Sequence, residues 1–124
     1  MSITPQKYFD KASNHLREQG KQAFSKDFDQ CLYLTSDGLK CVVGSFLPHG
    51  HEAQDAGGDV EDLALHYPEL KGVAWPESDI NLADQLQSIH DADKNWSEDG
   101  FNNNGERELE NLANRKGLTY TKPI

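Results

Sequence analysis

Two cysteines, Cys31 and Cys41, are all that the 124-residue chain offers for cross-linking. That is too few for the disulfide framework of a small secreted domain, and in a reducing cytosol both stay thiols. No apolar run approaches the roughly 20 residues of a membrane span. The opening Met1-Ser2-Ile3-Thr4-Pro5 has no charged stretch leading into an apolar one, so the expectation is a cytoplasmic protein. CxxC pairs, a glycine-rich phosphate loop and a nucleophile elbow are all missing, which leaves no motif that names a reaction or a cofactor. Basic residues are scarce in one place above all. Between Cys41 and Glu106 only Lys71 and Lys94 face fourteen acidic residues, so this stretch carries more than the whole net charge of −9. Residues 1–40 hold six bases against five acids, and residues 107–124 hold four against two. Charge of this kind bears on partners and solubility rather than on fold.

Hydrophobic content is low at 35% and mean hydropathy is −0.79, yet two Trp, four Tyr, five Phe and regularly spaced leucines supply a core for a single domain. Thr4 before Pro5 reads as an N-cap followed by proline at the first helical position. Tyr8, Phe9, Ala12, His15, Leu16 and Gln19 then draw one stripe that Gly20 ends. Two apolar runs flank Asp37-Gly38, which predicts a β-hairpin over about 31–43. The run Val42–Leu47, stopped by Pro48, fits either a second strand or a short buried helix. Asp59 is placed to cap a helix over 59–67, Ser78 or Asp79 one over 79–91, and Leu109, Leu112 and Ala113 predict a last helix over 106–116 ended by Gly117. The polar tract from Asp91 to Gly105 reads as a long loop pinned by Trp96 and Phe101. The fold class expected is therefore α+β, a mostly helical single domain of residues 1–124 with one hairpin.

Three constellations could carry chemistry. Asp91, Asp93 and Asn95 place oxygen ligands at positions 1, 3 and 5 of a calcium loop, but Trp96 replaces the glycine of position 6 and Asn102 the glutamate of position 12. His49 and His51, with Glu52 and Asp55, are candidate ligands for zinc, nickel or iron, and the site of a small metal-binding protein or hydrolase. A glycine between two loop histidines fixes no mutual orientation, however. Cys31 or Cys41 beside any of five histidines would be needed for nucleophilic catalysis. Cys41 opens an apolar run, which favours packing over reactivity. No catalytic residue is assigned.

The segment Cys31-Leu32-Tyr33, then Asp37-Gly38, Lys40-Cys41, Val43-Gly44 and Leu47-Pro48 resembles a family of small bacteriophage and prophage proteins that keep this order. The likeness extends to His15-Leu16 and to Leu86-Gln87-Ser88-Ile89-His90-Asp91, about two thirds of the chain. It implies a phage or mobile-element setting in a host cytoplasm and carries over no catalytic or binding residue. The chain departs from the family after Pro48, where His49-Gly50-His51 replaces a more acidic continuation.

Duplex DNA is bound through clefts of Lys and Arg, and an acidic protein surface can occupy such a cleft in its place. The acidic block then suggests a non-enzymatic interaction module, a phage-type inhibitor that meets a basic, nucleic-acid-binding host protein through Glu52, Asp55, Asp59, Asp62, Asp91, Asp93, Glu98 and Asp99. The same surface repels nucleic acid itself. A third reading is a small assembly protein whose acidity only keeps it soluble.

Overall fold

The computed structural model describes residues 2–25, 30–31, 33–35, 38–55 and 60–122. Among them the fold is mostly helical α+β. Helix α1 spans Pro5–Gln19, α2 Val60–His66, α3 Ile80–Asp91 and α4 Asn103–Lys116. Short antiparallel pairs join β1 (Phe24–Ser25) to β2 (Gln30–Cys31), and β3 (Trp96–Ser97) to β4 (Gly100–Phe101). No helix of the described residues is long and apolar enough to cross a membrane.

The helix boundaries follow from capping chemistry. The Thr4 side chain accepts from the Lys7 N–H and Pro5 sits in the first turn of α1, while Asp79 accepts from the Leu82 N–H at the start of α3. Each such cap contributes about 1 kcal/mol. Gly20 and Gly117 close α1 and α4 in the left-handed conformation. The proposed cap at Asp59 lies outside the described residues.

The core is one connected cluster. It holds Tyr8, Phe9, Ala12 and Leu16 of α1, Val60 and Leu63 of α2, and Leu109 and Leu112 of α4 around Leu82, Ala83, Leu86 and Ile89 of α3, the helix that packs against all three others. Tyr8 stacks on Phe46 at 4.0 Å and donates its hydroxyl to the Ala74 carbonyl at 2.7 Å, so its one polar atom is satisfied inside the core. A second tie runs along the surface. Arg17 of α1 forks onto Glu106 of α4, Nε to Oε2 at 2.8 Å and Nη2 to Oε1 at 2.7 Å, and Nη2 also reaches the Thr121 carbonyl. The Tyr120 hydroxyl adds a bond to the same carboxylate. Burial and this carboxylate push the Tyr120 phenol up to about 12.

The structure refines four expectations. Among the described residues the hairpin placed over 31–43 shows one antiparallel bridge, Leu34–Lys40, with the Thr35 N–H donating to the Leu39 carbonyl at 2.8 Å; Asp37 lies outside the described residues. Helix α1 also holds this segment, because the Gln19 side-chain amide pairs with both the N–H and the carbonyl of Lys40. Val43–Phe46 is a buried 3₁₀ turn, the helical one of the two alternatives. The tract from Asp91 to Gly105 is not a plain loop: a 3₁₀ turn at Asp93–Asn95 leads into the β3–β4 hairpin. Helix α4 also starts earlier than expected, since Asn102 caps the Gly105 N–H.

The 3₁₀ turn fits only because residue 44 is glycine. A Cβ built there overlaps the Tyr33 backbone carbonyl, which cannot swing away as a side chain could. Gly44→Ala is therefore expected to lower the unfolding free energy by about 1–3 kcal/mol or more. Urea unfolding followed by tryptophan fluorescence reads this directly, and an unchanged midpoint would show that Tyr33 and the turn are not in contact.

Candidate functional site

The chemically capable groups buried in the fold converge at the C-terminal end of α3. His90 has no exposed surface. Its Nε2 accepts the Ala23 backbone N–H at 3.0 Å. A backbone N–H can only donate, so Nε2 carries the lone pair and the ring proton sits on Nδ1, which donates to Asp91 Oδ1 at 2.8 Å. The same oxygen accepts from Gln87 Nε2 at 2.9 Å, and Gln87 Oε1 in turn accepts the Val43 N–H at 3.1 Å. The His90 carbonyl takes the Trp96 indole N–H at 2.8 Å and Gln22 Nε2 at 3.0 Å. In the sequence His90 stands out only as part of the Leu86–Asp91 segment. Its role depends on Ala23, a residue 67 positions away that has no side-chain signal.

Cys41 lies at the edge of this network and is inert. Burial pushes its thiol up to about 12, against the Gly44 N–H that points at the sulfur from 3.4 Å. A thiolate, the reactive form, is therefore almost absent near neutral pH. The Cys31 side chain lies outside the described residues. An Asp–His pair with Nε2 already bonded to the backbone has no lone pair left to take a proton from a nucleophile.

The acidic candidates fall into two separately anchored groups. Asp91 ends α3 and engages Oδ1 with two internal donors, whereas Asp93, Glu98 and Asp99 are exposed around the β3–β4 hairpin. Asn95 supports that hairpin from beneath with no exposed surface. Its Nδ2 donates to the Ile89 carbonyl at 2.8 Å and to Glu108, and its Oδ1 accepts from Asn104 at 2.7 Å. Trp96 and Phe101 pair across the two strands with ring centroids 5.3 Å apart. Asn95 thus faces protein and not a loop-bound cation, and its half of the calcium pattern is a fold-stabilising bond set.

The second group starts at His49, which is exposed. His51 Nδ1 accepts the Ala53 N–H at 3.0 Å, its Nε2 lies 3.4 Å from Glu69, and its ring meets Tyr67 edge-on. Gln54 folds back to the Gly50 N–H. Glu52 is exposed in the following 3₁₀ turn, and Asp62 is exposed in the first turn of α2. Asp59 and the Asp55 side chain lie outside the described residues. Among the described residues no group of three or more His, Cys, Asp or Glu side chains comes together as a metal site. The 49–55 loop is held to the Pro68–Leu70 turn, and the hairpin to α3 and α4.

His15 is the remaining histidine with a built environment. Its Nε2–H donates to the Lys40 carbonyl at 2.7 Å. Burial lowers its pKa from the ordinary 6.5, against the opposing pull of that carbonyl. Below about pH 6.5 the unfolded chain then binds the proton that the folded state resists, so stability falls as pH drops from there toward the lower folded value. His15→Gln is expected to flatten this slope in urea midpoints between neutral and mildly acid pH. An unaltered slope would reject His15 as its source. For the α3 network, His90→Phe keeps the volume but strands the Ala23 N–H, with an expected loss of about 1–3 kcal/mol in the same assay.

Compared with models of protein families, with curated proteins and with solved structures, the chain matches none.

Proposed function

We propose that the protein is a non-enzymatic interaction module that offers a rigid acidic hairpin to a basic protein surface. The observation that carries this reading is the placement of Asp93, Glu98 and Asp99. All three are exposed, Asp93 in the 3₁₀ turn that leads into the hairpin and Glu98 and Asp99 at its tip, with Asn95 bonded beneath, and among the described residues no ion pair engages them. The adjoining base, Lys94, leans to Glu108 at 3.5 Å. A fixed cluster of carboxylates meets a basic surface without the entropy cost of ordering a loop, and its field speeds encounter. In the phage setting that the resemblance implies, the partner class is a host protein with a nucleic-acid-binding cleft, and the module acts as its inhibitor.

A pull-down from host lysate at low and at high salt tests the reading. A partner retained at low salt and released at high salt is expected. Reversing Asp93, Glu98 and Asp99 to Lys should weaken its capture by about tenfold or more. Reversing Glu52 and Asp62 reports whether the second acidic group takes part. A partner held equally at both salts, or indifferent to the hairpin reversal, would overturn the proposal.

A further inference from the structure

A cavity whose lining includes no residue of the acidic hairpin runs along α1. It is an open groove of about 940 Å³. That is near the upper end of the roughly 300–1,000 Å³ usual for small-molecule sites. Lys7, Lys11 and His15 line it at four-residue steps, which puts them one above another on the same helix face, with Glu18 also in the lining. Its apolar lining includes Phe46 and Val73. Phe46 is held in place by its stack on Tyr8, and Val73 is 44% exposed, an apolar surface that nothing among the described residues covers.

The groove sets two cations side by side on one helix face, next to apolar side chains. Arg17, Lys71, Lys94 and Lys116 each hold a carboxylate, at 2.7, 3.6, 3.5 and 3.1 Å. Lys7 and Lys11 are exposed and no ion pair among the described residues engages them, although acids outnumber bases 21 to 12 in the chain. Two unpaired ammonium groups beside a preformed apolar wall match an anion in charge and a hydrocarbon or aromatic body in shape. His15 cannot turn freely to follow a ligand, because the Lys40 carbonyl holds its Nε2–H.

We propose that this groove binds a freely diffusing small organic anion, its carboxylate, sulfonate or phosphate group set between Lys7 and Lys11 and its apolar body against Phe46 and Val73. The site is independent of the acidic hairpin and stands or falls without it.

The probe is 8-anilinonaphthalene-1-sulfonate, compared with the uncharged N-phenyl-1-naphthylamine, which keeps the aromatic body and drops the anion. Saturable one-to-one binding of the sulfonate, with the uncharged probe bound far more weakly, is expected. The double variant Lys7→Gln/Lys11→Gln should reduce sulfonate affinity by about tenfold or more. Arg107→Gln/Arg115→Gln, which removes the same charge from exposed positions on α4, should leave it within about twofold, as expected if only net charge changes. Val73→Asp should weaken binding as well. All five positions are exposed, so an unchanged unfolding midpoint confirms that each variant is folded. Equal loss in the two double variants, or equal binding of both probes, would overturn the proposal. So would lysine-dependent co-sedimentation with phosphatidylglycerol vesicles in place of saturable binding of the free sulfonate, because the site would then serve a lipid surface.

Discussion

A histidine with no exposed surface is stable only if both ring nitrogens find partners, since an unpaired buried polar group costs about 1–3 kcal/mol. His90 meets this condition by joining parts of the chain that are far apart in sequence. Ala23 donates to one nitrogen and Asp91 accepts from the other. Gln87 extends the line from Asp91 to the Val43 N–H, the first donor of the buried 3₁₀ turn. The His90 carbonyl then receives both Gln22 and Trp96. The end of α3, the approach to β1, the start of the 3₁₀ turn and the seat of the β3–β4 hairpin are thus set by one residue and its neighbours. Replacing any member strands a polar group elsewhere, so the network specifies the arrangement more than it adds net stability.

Asn95 follows the same rule on a shorter scale. Its bonds to Ile89, Asn104 and Glu108 close a local module in which α3, the hairpin and α4 are held together over 20 residues of sequence. Gly105 belongs to this module for a steric reason, because a Cβ there would overlap the Phe101 ring. The Asn95 bonds tie down a stretch whose composition suggests a solvated loop. Carboxylates on a stiff hairpin keep a fixed spacing, and fixed spacing is what lets charge recognise a particular surface and not merely any cation. The described acids of the 49–62 segment rest on a different anchor, His51 beside Glu69 and Tyr67.

What was legible in the sequence had local causes. Thr4-Pro5, Asp79, Gly20 and Gly117 mark helix ends through caps made within three or four residues, and the leucine spacings of α1, α3 and α4 follow from a 3.6-residue period. What was illegible depended on distant partners. The β1–β2 pair has two residues on each side and no alternating pattern to detect. The contacts of the Lys40 backbone with Gln19 and His15 of α1 also come from distant positions. The early start of α4 was hidden by Gly105, which argues against a helix unless the Phe101 ring above it is known. Asp91, read as a surface acid or a calcium ligand, is the acceptor of a buried histidine, and only Ala23 reveals why.

Charge shows the same division between count and placement. The sequence reports an excess of acids, and that excess alone would favour solubility and little else. Pairing changes its meaning. Arg17 is drawn into a fork with Glu106 under Tyr120, Lys116 reaches Asp79 at the head of α3, and Lys94 turns to Glu108, so several bases act as struts of the fold. Such struts leave both signs of charge unbalanced elsewhere: carboxylates on the hairpin, ammonium groups in the α1 groove. A field of one sign over a whole surface would bind its counterpart without selectivity. Patches of opposite sign, each beside apolar side chains, can discriminate, because a ligand must match charge and shape in the same place.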